Sequence, residues 1–315
     1  MTEFEIIRHY FASEKYAPND VDLGIGDDAA LVRVPSDQQL VVTTDTLIAG
    51  LHFPLSTSAF DIGYKSLAVN LSDLAAMGAR PAWFTLALSL PNDDKEWLEQ
   101  FSQGLFNLAR SYNLALIGGD LTRGSLAITI QALGLRPISH ALLRSQAKVG
   151  DLIYVTGHLG DAGLALRQLA QSTLPVEIIL NKLNRPEPRI AHGQALLAIA
   201  HAAIDISDGL AADLRHILNA SQVGAKINVD QLPLSPTLQN SVSHEDAITL
   251  ALTAGDDYEL CFTLPANAQS EFEKYISHLS PACTCIGEIT AETGLYLHYQ
   301  DGSAYHGQAK GYQHF

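Results

Sequence analysis

Six short segments along the chain set aspartates at the ends of apolar runs or at the starts of helical patterns, most of them beside glycine. They read Gly24-Ile-Gly-Asp-Asp-Ala-Ala30, Thr43-Thr-Asp-Thr46, Asn70-Leu-Ser-Asp73, Gly118-Gly-Asp120, Asp205-Ile-Ser-Asp-Gly209 and Gly255-Asp-Asp-Tyr-Glu259. One such Asp reads as a cap or turn residue, because its short carboxylate bonds nearby backbone N–H groups. Six are harder to read that way, since turns do not select Asp over Asn and Ser. A fold that gathers several of these carboxylates must place cations between them. Hard oxygen donors without convergent Cys or His favour Mg²⁺ over zinc.

The 315 residues suit two domains, and 47% hydrophobic content against 17% charged is ample material for buried cores. Lys and Arg number 19 against 34 Asp and Glu, a net charge of −15 that repels nucleic acid on average. Cys261, Cys283 and Cys285 cannot build a disulfide scaffold, and Cys283-x-Cys285 lacks the second pair a zinc finger needs. The first sixteen residues carry Glu3, Glu5 and Glu14 and no signal pattern, and no apolar run is long enough to cross a bilayer. The expectation is a cytoplasmic protein with no membrane partner.

Helical periodicity over 59–77 sets Leu67, Leu71 and Leu74 on one face and stops at Gly78, with Pro81 beyond. A second helical pattern covers 95–112, and strand-like runs cover 40–44, 114–117 and 126–133. Residues 136–150 read as a connection. Beyond it come a strand at 152–156, a glycine turn at 157–160 and a helix through 164–169. The pattern predicts an α/β (α+β layered) fold in two domains, 1–137 and 148–315.

In an extended segment Asp27 and Asp28 point to opposite faces. Asp205 ends an apolar strand, and a helix with Leu210, Leu214 and Ile217 on one face follows. Ser207 or Asp208 could serve as its N-cap. Asp73 lies one turn from Asn70, away from the leucine face, where a solvated polar face explains it as well as a ligand does.

Gly24-x-Gly26-x-x-Ala29 imitates a dinucleotide fingerprint, but strand rather than helix follows it and two Asp would face the pyrophosphate. The chain has no P-loop, protein-kinase set, EF-hand spacing or Gly-x-Ser-x-Gly elbow.

In order and spacing the segments closely resemble the thiamine-monophosphate kinase family, of the aminoimidazole-ribonucleotide-synthetase-like ATP-binding superfamily. The likeness runs through GIGDDAA at 24–30, TTDTLIAGLHF at 43–53, NLSDLAAMGA at 70–79 and LIGGDLTRG at 116–124. It continues through VTGHLGDAG at 155–163, AIDISDGL at 203–210, AGDDYELCF at 254–262 and GYQHF at 311–315.

The resemblance implies transfer of the γ-phosphoryl of ATP to thiamine monophosphate, in a homodimer whose N-terminal sheets pair and whose C-terminal domain closes the cleft. It implies several Mg²⁺ ions held by Asp28, Thr43, Thr44, Asp45, Asp73, Asp120, Asp205 and Asp208. ATP would contact Tyr112, Gly119, Asp120, Arg144 and Ser207, and thiamine monophosphate would contact His52, Asp256 and Tyr312. Asp45, Asp120, Asp208 and Arg144 would carry the catalysis.

Asp256 stands where the family commonly has an acid, one methylene shorter than Glu, and Glu259 is the competing substrate contact. A selenophosphate synthetase would need a reactive Cys near its N-terminal loop and a hydrogenase-maturation relative one at its C-terminus; this chain has neither. Aminoimidazole-ribonucleotide synthetase and a non-catalytic sensor of Mg²⁺ or nucleotide are the remaining alternatives.

Overall fold

The structure, a computed structural model, describes residues 1–12, 19–138, 141–307, 309 and 311. The chain divides into two compact units, Met1–Leu74 with Ala79–Ser139 and Ala75–Gly78 with His140–Phe315.

In the first unit a short helix, α1 (Glu3–Ile6), and a two-stranded ribbon, β1 (Val21–Leu23) with β2 (Leu31–Val32), precede the main sheet. That sheet is built from β3 (Gln38–Ile48), β4 (Arg80–Leu90), β5 (Ala115–Arg123) and β6 (Ala127–Pro137), in the order β3-β6-β4-β5. Only the β4–β5 pair is parallel. Two helices connect the strands, α2 (Ala59–Ala76) before β4 and α3 (Lys95–Ser111) before β5.

The two-residue period of β3 separates its faces. Thr43, Asp45 and Leu47 are buried or half-buried, whereas Leu40, Val42, Thr44, Thr46 and Ile48 are exposed on the other side. The strand is more than twice the length of the 40–44 run, because it continues through the polar stretch Thr43–Thr46 to Leu47 and Ile48.

Helix α2 is buried nearly all round. Leu67, Leu71 and Leu74 are fully enclosed, and so are Asn70, which borders that face, and Ser72, which lies away from it. The helix ends as the sequence predicts, with Gly78 in the left-handed region at φ 65°. It meets α3 backbone to backbone. A Cβ on Gly104 would stand 1.9 Å from the Phe60 carbonyl oxygen, and one on Gly63 would stand 2.1 Å from that of Phe101.

The second unit holds a six-stranded sheet made of β7 (Asp151–Thr156), β8 (Ala202–Asp205), β9 (Gly224–Asn228), β10 (Leu260–Pro265), β11 (Cys283–Thr290) and β12 (Gly294–His298). Its order is β12-β9-β11-β7-β10-β8, antiparallel except between β12 and β9. The helices are α4 (Asp161–Ala170), α5 (Glu177–Asn184), α6 (Ile190–Leu196), α7 (Leu210–Ser221), α8 (Pro236–Ser241), α9 (His244–Thr253) and α10 (Gln269–Ile276).

Ile153 and Val155 of β7 face a core formed with Leu164, Leu210, Leu214, Ile217 and Ile248. Tyr154, one residue out of phase, stacks on Phe262 at 5.7 Å and meets Phe272 of α10 edge-on, so both faces of the sheet are covered. Among the described residues no helix is long and apolar enough to cross a membrane.

The α2–α3 contact leaves no room for a methyl group. Gly104→Ala is expected to destabilise the protein by about 3 kcal/mol, as overpacking against rigid backbone does, and to lower Tm. The exposed Ser111→Ala on the same helix should change stability by under about 0.5 kcal/mol. Equal thermal melts for the two variants would contradict backbone contact between the helices.

Candidate active site

The N-terminal unit gathers its candidate residues in two groups. The first lies between β3 and α2. The Thr43 hydroxyl donates to the Asp73 carboxylate. The Asp45 N–H donates to Asn70 Oδ1 at 3.1 Å, and the Asn70 amide donates to the Ser66 carbonyl oxygen at 3.0 Å. Burial, and after it the neighbouring Asp73 charge, raise the Asp45 pKa to about 6. The Asn70–Asp73 side of α2 is therefore not the solvated face that the sequence allowed: it packs on β3, with Asn70 fully enclosed.

The second group lines a cleft of about 880 Å³ that includes Asp27, Asp28, Thr85, Gly119 and Asp120. Asp120 pairs with Ala87, Ala87 with Thr129, and Thr129 with Thr46, and paired residues share a face. That register places Asp120 with Thr44 and Thr46, on the side of the sheet opposite Asp45. Gly119 has φ 153°, and a Cβ there would stand 1.9 Å from the Leu86 carbonyl oxygen. The Asp28 N–H donates to Asp27 Oδ1 at 2.8 Å, a bend rather than the extended pair expected.

His52 follows β3, and its Nδ1 accepts the Ile48 N–H at 2.9 Å. An accepting Nδ1 leaves the ring proton on Nε2, a donor suited to an anion. Tyr112 caps the C-terminus of α3 and is half-buried.

In the C-terminal unit, Asp205 ends β8 buried and pairs with Leu260. Neither Ser207 nor Asp208 caps α7. The cap residue is Gly209, at φ 106°, with no side-chain cap bond. Asp213, in the first turn of α7, does related work instead, and its Oδ2 accepts both the Ser207 and the Asp208 N–H at 3.0 Å. Burial is the main cause that raises the Asp213 pKa to about 7. The two backbone N–H bonds and the Arg144 charge act against it, and the Asp208 charge adds to it.

Arg144 is exposed, and its carbonyl oxygen accepts the Ser221 hydroxyl at 2.8 Å. Asp256, at φ 68°, donates its N–H to the Ser207 carbonyl oxygen at 3.0 Å, so the 255–259 segment sits against the 205–208 turn. Tyr312 lies outside the described residues.

Asp213 was missed in the sequence, although an acid in the first turn after Asp-Gly was the available signal. Glu259 is engaged elsewhere. Its two oxygens accept Arg189 Nη2 and Nε at 2.6 Å, and Oε2 also accepts the Thr156 hydroxyl at 2.5 Å, all within the core. A carboxylate so held is a structural ion pair.

Among the described residues no three His, Cys, Asp or Glu side chains form one metal-holding group. The donor set nevertheless fits Mg²⁺. Asp45 and Asp73 are close enough to raise the pKa of Asp45, and a hard cation is the partner such crowded oxygens accept.

Residues 26–136 match the AIR synthase related protein N-terminal domain, and residues 148–300 match the corresponding C-terminal domain. The chain is 48% identical to a thiamine-monophosphate kinase of Escherichia coli (strain K12), over 99% of this chain and 98% of that one. The crystal structure of thiamine-monophosphate kinase from Stenotrophomonas maltophilia K279a superposes with a TM-score of 0.87 at 47% identity, over 96% of both chains. The structure of AaThiL complexed with AMPPCP and TMP gives a TM-score of 0.77 at 30% identity, over 92% of both.

The Asp213 pKa of about 7 lies above the ordinary carboxyl value, so the folded chain binds this proton more tightly than the unfolded chain. The contribution to stability is complete below about pH 4 and is lost as pH rises to about 7. In Mg²⁺-free buffer, Asp213→Asn should gain stability relative to the wild type as pH rises through that window. A pH-independent Tm difference between the two proteins would count against a protonated Asp213.

Proposed function

The chain belongs to the thiamine-monophosphate kinase family of AIR synthase related proteins, and from that membership we infer the reaction it catalyses. It transfers the γ-phosphoryl of ATP to thiamine monophosphate, giving thiamine diphosphate and ADP. The observation that carries this reading is the likeness to enzymes of that name over 99% of the chain.

Both substrates carry phosphate charge, and the acceptor oxygen is already ionised at neutral pH, so no general base is required. Transfer is direct, with no covalent enzyme intermediate. When bound, Mg²⁺ neutralises the phosphates and aligns donor and acceptor for an in-line displacement.

Thr43, Asp45 and Asp73, with Asp28, Thr44, Asp120, Asp205 and Asp208, would hold these ions. At neutral pH Asp45 is ionised, being above its pKa of about 6, and is ready to bind a cation. Gly119 lets the β5 backbone run close to β4 beside Asp120, and together with Tyr112, Arg144 and Ser207 they contact ATP. Arg144 brings positive charge to the phosphates. His52 Nε2 donates to thiamine monophosphate, Asp256 accepts from it, and Tyr312 offers its ring to the cationic thiazolium or the pyrimidine. Asp45, Asp120, Asp208 and Arg144 carry the catalysis.

The protein works in the cytoplasm as a homodimer. The exposed Leu40, Val42 and Ile48 on the outer face of β3 support a covered sheet face. Residues 1–137 form the ATP, metal and dimer domain and 148–315 the closing domain. The compact units and the matched family domains support that division.

Purified protein with ATP and Mg²⁺ is expected to form thiamine diphosphate one-for-one with ADP from thiamine monophosphate, and not from free thiamine. ATP binding without turnover on this acceptor would favour the sensor reading, and turnover only on the aminoimidazole-ribonucleotide precursor would favour the synthetase reading. Asp45→Asn and Asp208→Asn should each lower kcat by at least about 10²-fold with unchanged thermal melts. Near-wild-type rates in both would sink the metal-bridged mechanism.

A further inference from the structure

Two residues of the 255–259 segment hold left-handed backbone that side chains disfavour. Asp256 has φ 68° and Tyr258 has φ 49°, on either side of Asp257. Such conformations persist where the surroundings over-determine them, and they cluster where geometry is used.

Here the surroundings can be named. The Asp256 N–H donates to the Ser207 carbonyl oxygen at 3.0 Å, and the Tyr258 N–H donates to that of Ile206 at 2.8 Å. Between them the Asp257 carboxylate accepts the Gly160 N–H, at 3.0 Å to one oxygen and 2.9 Å to the other. Gly160 is the cap residue of α4, at φ 87°, with no side-chain cap of its own, so Asp257 caps that helix from a distant part of the chain. The Tyr258 hydroxyl then turns back and donates to Asp256 Oδ1 at 3.1 Å.

We propose that Asp257 and Tyr258 are positioning residues for thiamine monophosphate: Asp257 pins the strained backbone to α4, and the Tyr258 hydroxyl fixes the direction of the Asp256 carboxylate. The proposal rests on the kinase reading above and on Asp256 as a substrate contact. A hydroxyl bonded to Oδ1 restricts the rotation of the Asp256 carboxylate and so sets the direction it presents. It also compensates for the shorter reach of Asp by removing the freedom of its side chain. Neither residue needs to touch the substrate.

Tyr258→Phe removes only the hydroxyl. It is expected to raise KM for thiamine monophosphate about tenfold, the effect of losing one hydrogen bond to a charged group, with kcat and KM for ATP changed less than about twofold. Asp257→Ala is expected to raise the same KM, and Asp257→Asn, which keeps an acceptor oxygen for Gly160, to restore most of it.

An unchanged KM for thiamine monophosphate in Tyr258→Phe overturns the proposal, even if Asp257→Ala fails to fold. So does an equal loss in both substrates' KM, which marks a merely structural role. Wild-type protein without thiamine-monophosphate kinase activity would instead overturn the kinase reading, and is distinguishable from both.

Discussion

Like charges held close together repel, and this chain must keep carboxylates close without cancelling their charge. It does so with neutral partners. The Thr43 hydroxyl donates to Asp73, the Asn70 amide oxygen accepts the N–H of Asp45, and two backbone N–H groups donate to Asp213. Each bond fixes position without bringing in a compensating positive charge. Glu259 shows the contrasting use of an acid. Two nitrogens of Arg189 compensate it in the core, and its charge is spent on tying β7 and β10 together. A carboxylate held by neutral groups thus has no cation brought to it by those bonds, whereas Glu259 is neutralised by Arg189 in the core.

Much of the fold was legible because its signals are local. Helix α2 ends where Gly78 stands, and the α7 leucine face follows Asp205 as its spacing predicts. Such features depend on residues three or four apart, so periodicity finds them. Strand β3 was read too short because the polar run Thr43-Thr-Asp-Thr46 interrupts the apolar residues, although burial keeps alternating through it.

The rest depended on contacts distant in sequence. Asn70 and Asp73 look like a wet helix face until β3 supplies Thr43 and Asp45 as partners. A cap at Ser207 or Asp208 was reasonable, but Gly209 takes that position and Asp213 bonds the turn from inside the helix. The opposite faces of Asp45 and Asp120 follow only from the register of three strand pairs, each of which carries information no single segment contains.

That separation across the sheet has a chemical consequence. A single rigid cage of carboxylates would bind Mg²⁺ tightly before any substrate arrived and would resist giving up its geometry. Within the first unit, acids spread over two faces of one sheet offer few oxygens on either face, whereas Mg²⁺ seeks six. Phosphate oxygens complete such partial sets. In the proposed reaction such an arrangement would favour ions that arrive with the substrates. The bonds from Thr43 to Asp73 and from the Asp45 N–H to Asn70 set two carboxylates side by side, where a hard cation relieves their repulsion.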